Sequence, residues 1–380
     1  MSLQLNGTDG VTFNDGSEQW AAASPIGTKN LIINGDMRIA QRGTSQASIT
    51  TSGYYTVDRF LLTGGNSAGT WTQTQSTDVP TGQGFANSLK MQCTTANASL
   101  GSTAFFFIRQ RIEAQNLQHI KKGTSSAESL TYSFWVKSNK TGTYIAEIFD
   151  DDNVRQISKS YTIDTADTWE KKTITFVGDT SGVLPNDNGS GFSVGMWLVA
   201  GSDYTSNGTL NTSWASTNVP QRAVGQVNLA DSTSNYINIT GVQLEVGDTA
   251  TPFEVMPYDM QLARCQRYYY KLANDSGAAT ACLFGNGSIQ SSTQLAGSIK
   301  FTTQMRIPPT SMETTGTASD YRIWYAGNAA QNCTSLPLLS GVTSWGGRIY
   351  FTVSGGLTSG QAGHFRSTTT DAYLAWSAEL

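Results

Sequence analysis

Charge is scarce in this chain. Asp, Glu, Lys and Arg together make up 14% of the 380 residues, against roughly 25% in an ordinary soluble domain. The 24 Lys and Arg and the 28 Asp and Glu form no long run of either sign. Without a basic run the phosphate-neutralising surface that drives nucleic-acid binding is missing, so nucleic acid is not an expected partner. Long apolar runs are missing too. No stretch approaches the ~20 residues of a membrane-crossing helix, so no membrane span is expected. The opening Met1-Ser2-Leu3-Gln4-Leu5-Asn6 lacks the basic and then apolar segments of a secretion signal, and folding in a cytosol is expected.

Cysteine and histidine are equally sparse. Cys93, Cys265, Cys282 and Cys333 form no Cys-x-x-Cys pair and have no adjacent histidine, which speaks against a zinc site and for reduced, structural thiols. His119 and His364 are the only histidines, and neither stands in a nucleophile elbow or a metal-ligand spacing. Neither an enzyme nor a bound cofactor is expected from such a set.

What is present in quantity is Ser, Thr, Asn, Gln and Gly, a composition that suits short strands and tight turns and supports long helices poorly. From residue 30 to about 257 the pattern has period 2. Tyr132, Phe134 and Val136 fall on one face, as do Phe192, Val194, Met196 and Leu198. In 237–246 the apolar positions switch from odd to even across Gly241, as one extra residue in a β-bulge would make them do. Many short strands with Gly, Asn and Asp turns predict an all-β fold, an antiparallel sandwich or jelly roll over 30–257.

Three further regions flank it. Residues 1–29 read as an arm whose apolar residues Leu3, Leu5, Val11, Phe13 and Trp20 are too few and too interrupted by turn signals to form a core. After Pro257 the spacing predicts a helix over 258–272, with Asp259 at the positive end of its dipole. Tyr258, Leu262, Cys265, Tyr269 and Leu272 recur at steps of four and three, an a/d seam. Such a stripe serves either a helix packed on its own domain or one meeting symmetry mates. Residues 273–380 return to β character and read as a second, smaller β-domain.

Two kinds of binding chemistry are available. Flat aromatic faces stack on sugar C–H surfaces, and the chain has 9 Trp and 15 Tyr. Trp197 lies opposite the apolar side of its strand, Trp214 sits in a polar stretch with Tyr204 nearby, and Trp345 is followed by glycines. These are the glycan-binding candidates, with a core or subunit-interface role as the alternative for each. Asp150 and Asp152 head the densest carboxylate cluster, a weak candidate for a calcium loop or else a polar hairpin turn between 144–149 and 155–161.

Several segments resemble a known family. Asn30-Leu31-Ile32-Ile33-Asn34-Gly35-Asp36-Met37-Arg38 with Val57-Asp58-Arg59-Phe60, then Ser133-Phe134-Trp135-Val136-Lys137, then Gly241-Val242-Gln243-Leu244-Glu245-Val246-Gly247 and Thr251-Pro252-Phe253-Glu254, are similar to a β-sandwich domain of tailed-phage tail fibres and related virion proteins, itself like carbohydrate-binding modules. Gly10-Val11-Thr12-Phe13-Asn14-Asp15-Gly16 resembles a segment near the start of phage fibre and adaptor proteins. The resemblance implies a structural virion subunit, homotrimeric, assembled in the host cytoplasm. Its arm would dock on portal, tail or fibre proteins and its β-domains would meet a host-surface glycan. A purely architectural head-fibre, adaptor or collar subunit is the main rival, and a polysaccharide depolymerase a more distant one.

Overall fold

The computed structural model describes residues 28–273 and 282–380, and the backbone of three short strands ahead of them, Gln4–Asn6, Gly10–Thr12 and Glu18–Gln19. Those three pair antiparallel, with Leu5 opposite Val11. Leu3, Phe13 and Trp20 lie outside the described residues. The chain forms two compact units, Met1–Arg38 with Thr44–Met256, and Ile39–Gly43 with Pro257–Leu380.

The first unit is an antiparallel β-sandwich. One sheet has six strands in the order Glu170–Phe176, Leu130–Ser138, Tyr236–Val246, Ser88–Thr95, Thr70–Ser76, Ser45–Ile49. The other has seven, in the order Ala215–Ser216, Arg155–Ile163, Gly142–Asp150, Ser190–Ala200, Phe105–Glu113, Leu61–Gly65, Gly53–Tyr54. From Ser88–Thr95 to Phe105–Glu113 to Leu130–Ser138 to Gly142–Asp150 the chain changes sheet at each step, which makes the sandwich a jelly roll. Between the sheets lie Tyr132, Phe134 and Val136 from one side and Phe192, Val194, Met196 and Leu198 from the other, the faces that the period-2 pattern picked out.

Gly241 is where the six-stranded sheet departs from regularity. Ser133 pairs with Gln243 but Trp135 pairs with Thr240, so the Tyr236–Val246 strand spends one extra residue there. Gly241 has φ +60°, a left-handed conformation in which glycine carries no Cβ penalty. The bulge lets Ile237 and Ile239 before it and Val242 and Leu244 after it all point into the core.

The opening and closing segments of this unit are stitched to that strand by side chains. Asn30 donates from Nδ2 to the Val242 carbonyl, and its Oδ1 accepts from the N–H groups of Ile32 and Leu244. Glu254 accepts from the backbone N–H of Lys29 and of Asn30, while its own N–H donates to Gln243 Oε1. These satisfied buried contacts explain why polar residues recur at such positions: they fix backbone, as buried amides and carboxylates must.

The second unit has a seven-stranded antiparallel sheet, ordered Ala329–Asn332, Tyr321–Tyr325, Ala362–Ser367, Leu283–Ser291, Gln294–Lys300, Gly346–Thr352, Leu338–Thr343, and a three-stranded one, ordered Tyr269–Ala273, Tyr373–Ser377, Met312–Glu313. Tyr270, Phe301, Trp376, Tyr321, Phe351 and Phe365 fill its core.

The predicted helix over 258–272 requires correction. Its α-helical part is Tyr258–Gln266, and Tyr269–Ala273 is a strand paired with Tyr373–Ser377. Tyr258 and Leu262 therefore share no helical stripe with Tyr269 and Leu272. Within the helix Cys265 is fully buried, Leu262 half-buried and Tyr258 exposed. The cause is local. Tyr268-Tyr269-Tyr270 is an aromatic run that favours extended backbone. It closes the sheet through the Ala378 N–H donating to the Tyr268 carbonyl at 2.7 Å and the Arg306 N–H to the Arg267 carbonyl at 2.7 Å. The four-and-three spacing coincides with helix for its first turns only.

Candidate functional site

The outer face of the six-stranded sheet carries a cleft of about 650 Å³. Its floor is laid by Ser133 and Trp135 from the Leu130–Ser138 strand and by the Gly241 bulge beside them. Trp135 stands between Lys171 on one neighbouring strand and Thr240 on the other. The loop bearing Gln83, Gly84, Phe85 and Ala86, the strap 250–255 with Pro252 and Phe253, and Asp36 and Arg38 complete its lining.

The bulge shapes this cleft. A Cβ built on Gly241 would stand 2.6 Å from Phe85 Cζ, so only glycine lets that ring settle onto the strand. Phe85 then meets Phe253 edge-on, with centroids 5.2 Å apart, an arrangement the ring quadrupoles favour. Trp135, Phe85 and Phe253 are each half-buried. Three aromatic rings thus border one cavity, with Asp36, Arg38, Gln83, Ser133, Lys171 and Thr251 as its polar lining.

Asp36 is the carboxylate of the site. It is 7% exposed and ion-paired through Oδ2 with Arg38 Nε, while its buried Oδ1 has no hydrogen-bond partner. Burial raises its pKa above the ordinary carboxylate value. The charge of Arg38 and nearby backbone N–H groups pull the other way without prevailing. Arg38 is held in turn by its NH2 group donating to the Met256 carbonyl at 2.6 Å.

The expected glycan residues do not come together. Trp197 does lie on the outer face of the seven-stranded sheet, but it is 1% exposed and cannot stack on a sugar. Phe107, Ile145 and Ala223 surround it, Tyr204 leans on it at 5.2 Å between centroids, and the Arg222 guanidinium sits 5.2 Å from its ring centre. The segment around 204–223, built from short elements such as Ala215–Ser216 and Val219–Gln221, roofs this part of the sheet with Tyr204, Leu210 and Ala223. Tyr204 is taken up by the same cluster, tilted against Phe105. Trp214 stacks on Phe192 and donates from Nε1 to the Val177 carbonyl at 2.7 Å. In the second unit Trp345 remains 53% exposed beside a shallow depression with Lys300 and Thr343 in its lining.

Trp135 was missed although the same signal marks it. In Thr131-Tyr132-Ser133-Phe134-Trp135-Val136 it lies opposite the core-facing residues, the criterion that singled out Trp197. Nothing in the local pattern distinguishes the tryptophan that is roofed from the one that is open.

The calcium reading of Asp150 and Asp152 also requires correction. Asp150 accepts hydrogen bonds from the Asp152 and Asn153 N–H groups, as a turn-capping aspartate does. Lys122 Nζ lies 2.6 Å from its Oδ2, so an ammonium already holds the place a cation would take. Among the described residues no cluster of three or more His, Cys, Asp or Glu is placed to hold a metal ion. Neither histidine is among the residues that line the cleft. His119 lies in the 3-10 turn Ala114–Ile120, its pKa lowered by burial, and His364 Nδ1 faces Asn286 Oδ1 at 2.6 Å.

No protein-family model and no curated protein matches the chain. Among solved structures it is similar to the enzymatically active domain of tailspike protein 4 of bacteriophage CBA120, at 15% identity over 57% of this chain and 21% of that one, TM-score 0.29. The chain thus spans about a fifth of that tailspike structure's length. It is also similar to a putative sugar binding protein from Bacteroides thetaiotaomicron, at 14% identity over 57% of this chain and 100% of that one, TM-score 0.31. A third is TmCBM61 in complex with β-1,4-galactotriose, at 9% identity over 58% of this chain and 99% of that one, TM-score 0.29. The fold assignment rests on the strand order given above.

Proposed function

We propose that this chain is a structural subunit of a tailed-phage virion, a tail fibre or tail-associated protein, and that the Trp135 cleft of its sandwich binds a host-surface glycan. The observation that carries the glycan reading is one cavity bordered by Trp135, Phe85 and Phe253, with Gln83, Lys171 and Thr251 among its polar lining. Apolar ring faces for sugar C–H surfaces and a few placed polar groups for hydroxyls are what such a site needs. The cleft lining holds a single carboxylate, whereas glycosidic hydrolysis uses a pair across the scissile bond, so the role proposed is binding without turnover.

The virion reading is supported by the resemblance of Asn30-Leu31-Ile32-Ile33-Asn34-Gly35-Asp36, Gly241-Val242-Gln243-Leu244-Glu245 and Thr251-Pro252-Phe253-Glu254 to phage fibre domains. Those segments line or brace the same cleft. In this account the residues before Lys29 dock on portal, tail or fibre proteins and the assembly is a homotrimer. A glycan array probed with the full chain, alongside the Trp135→Ala variant, tests the binding role. Signals on defined glycans that vanish in the variant support it, and an array blank for the wild-type chain sinks it.

A further inference from the structure

The seven strands of the second unit's larger sheet contain no Asp or Glu, although the chain as a whole is acidic at −4. They do contain Lys300, Arg322, Arg348 and Arg366. The register puts these on one face. Tyr321, Ile323, Phe365, Ile349 and Phe351 point into the core, so Arg322, Trp324, His364, Arg366, Arg348 and Tyr350 point outward. Each of those six is half-buried or exposed.

Two relationships on this face are costly in a sheet that has no ligand. Arg322 stands directly opposite Arg366 on the neighbouring strand, and like charges so placed repel. Both have a buried Nε without a hydrogen-bond partner, and neither forms an ion pair among the described residues. Aromatic rings hold the guanidinium groups in place. Arg366 lies over Trp324 at 4.4 Å from the ring centre, and Arg348 over Tyr350 at 5.0 Å. His364 stands opposite Trp324 on one side and Asn286 on the other, and Ser298 opposite Arg348, so a polar row crosses the sheet. From Trp324 to Arg348 that row covers four strand spacings, about 19 Å at ~4.8 Å each, long enough for several sugar residues.

We propose that this face binds an acidic polysaccharide, with sugar carboxylates on the Arg322 and Arg366 pair and sugar rings on Trp324 and Tyr350. The charge complementarity is specific. A planar guanidinium presents its donors in the fork that matches a carboxylate, and an anion between two opposed arginines removes their repulsion. The site is independent of the Trp135 cleft, being in the other unit with its own lining.

The test is binding of the full chain to immobilised polygalacturonate, alginate, hyaluronan and polysialic acid, with dextran as the neutral control and a single-stranded oligonucleotide as a non-sugar polyanion. The account predicts binding to at least one acidic polysaccharide, above both controls and weakening as salt rises from 0.05 to 0.5 M, because screening shortens the reach of these charges. Arg322→Gln with Arg366→Gln should weaken it about ten-fold or more while circular dichroism and melting stay those of the wild type. If that variant misfolds, Trp324→Ser serves as the second probe with the same expected loss. Trp135→Ala should leave this binding intact, which separates failure here from failure of the cleft. Absence of binding to all four acidic polymers, equal binding of dextran, tighter binding of the oligonucleotide, or no effect of the Arg322 and Arg366 changes would each overturn the proposal.

Discussion

Lys122 Nζ lies 2.6 Å from Asp150 and 3.2 Å from Asp179, and all three side chains are almost wholly buried. The same ammonium also donates to the carbonyls of Ser181 and Gly182, so its three N–H donors are shared among four acceptors. A lysine in this place ties the 150–154 turn to the 179–182 loop. Lys122→Met would leave Asp150 buried without its counter-charge, and removing one partner of a buried pair costs about 3–5 kcal/mol. The expected outcome is a melting temperature lower by roughly 6–20 °C, at ~2–4 °C per kcal/mol for a domain of this size. Millimolar calcium should leave the wild-type melting temperature unchanged. A rise would restore the calcium loop.

Asp179 sets part of the acid stability. Burial pushes its pKa up, but Arg155 at 2.8 and 2.9 Å, the Ser181 N–H and Lys122 together outweigh burial and hold it below the ordinary value of 3.8. A carboxylate with a depressed pKa contributes stability that is present above pH 3.8 and is lost as pH falls through the folded-state value. Asp179→Asn should therefore destabilise the protein at pH 7 and flatten its loss of stability below pH 3.8. An acid-unfolding curve of unchanged steepness would contradict this.

Asp36 behaves in the opposite sense. Its pKa is raised, so its neutral form is favoured by folding, and that contribution is present below pH 3.8 and lost as pH rises through the folded-state value. Asp36→Asn should remove this fall in stability above pH 3.8. Denaturant unfolding of both proteins at several pH values measures this, and an equal fall in the variant would contradict it.

Gly241→Ala tests the bulge. The added Cβ would meet Phe85 Cζ at 2.6 Å and would sit on a backbone with φ +60°. Strain of this kind costs of order 1–3 kcal/mol, and relief would require Phe85 to leave the cleft wall. Both a lower melting temperature and weaker glycan binding are expected. A variant with wild-type values for both would show that the ring is free to shift.

Much of this scaffold was legible in the sequence because strand patterning is local. Tyr132, Phe134 and Val136 declare an inward face by alternation alone, and the parity switch at Gly241 reports an extra residue without any knowledge of its partner strand. The site was less legible. Trp135 and Trp197 carry the same local signal, and what separates them is the segment around 204–223, whose placement over the sheet depends on contacts such as Arg222 with Glu147 that span 75 residues. The helix seam failed for a related reason. Spacing continued past Gln266, but pairing of Tyr269 with Ser377 decided the backbone, and that partner lies more than a hundred residues away. The charge pair of Lys122 and Asp150 has the same character, since the aspartate cluster is visible in sequence and the lysine that neutralises it is not.

A chain starting at Lys29 should fold. Lys29 and Asn30 are already fastened to Glu254 and Val242, and the described contacts of the first unit's core begin at Ile32. The truncated protein should melt as the full chain does and fail to join virions in an assembly assay. Normal incorporation would refute the anchoring role of the residues before it.

The central claim is that the open tryptophan binds and the roofed one only holds the fold. Trp135→Ala and Trp197→Ala, compared by calorimetric titration with a glycan identified on the array and by thermal melting, test it most directly. The account predicts that Trp135→Ala abolishes measurable binding with little change in melting, because that ring borders the cleft. It predicts that Trp197→Ala costs about 3–5 kcal/mol of stability, as loss of a fully buried tryptophan does, and leaves affinity unchanged where the protein is folded. Retained binding in Trp135→Ala, or loss of binding in a fully folded Trp197→Ala, would contradict it.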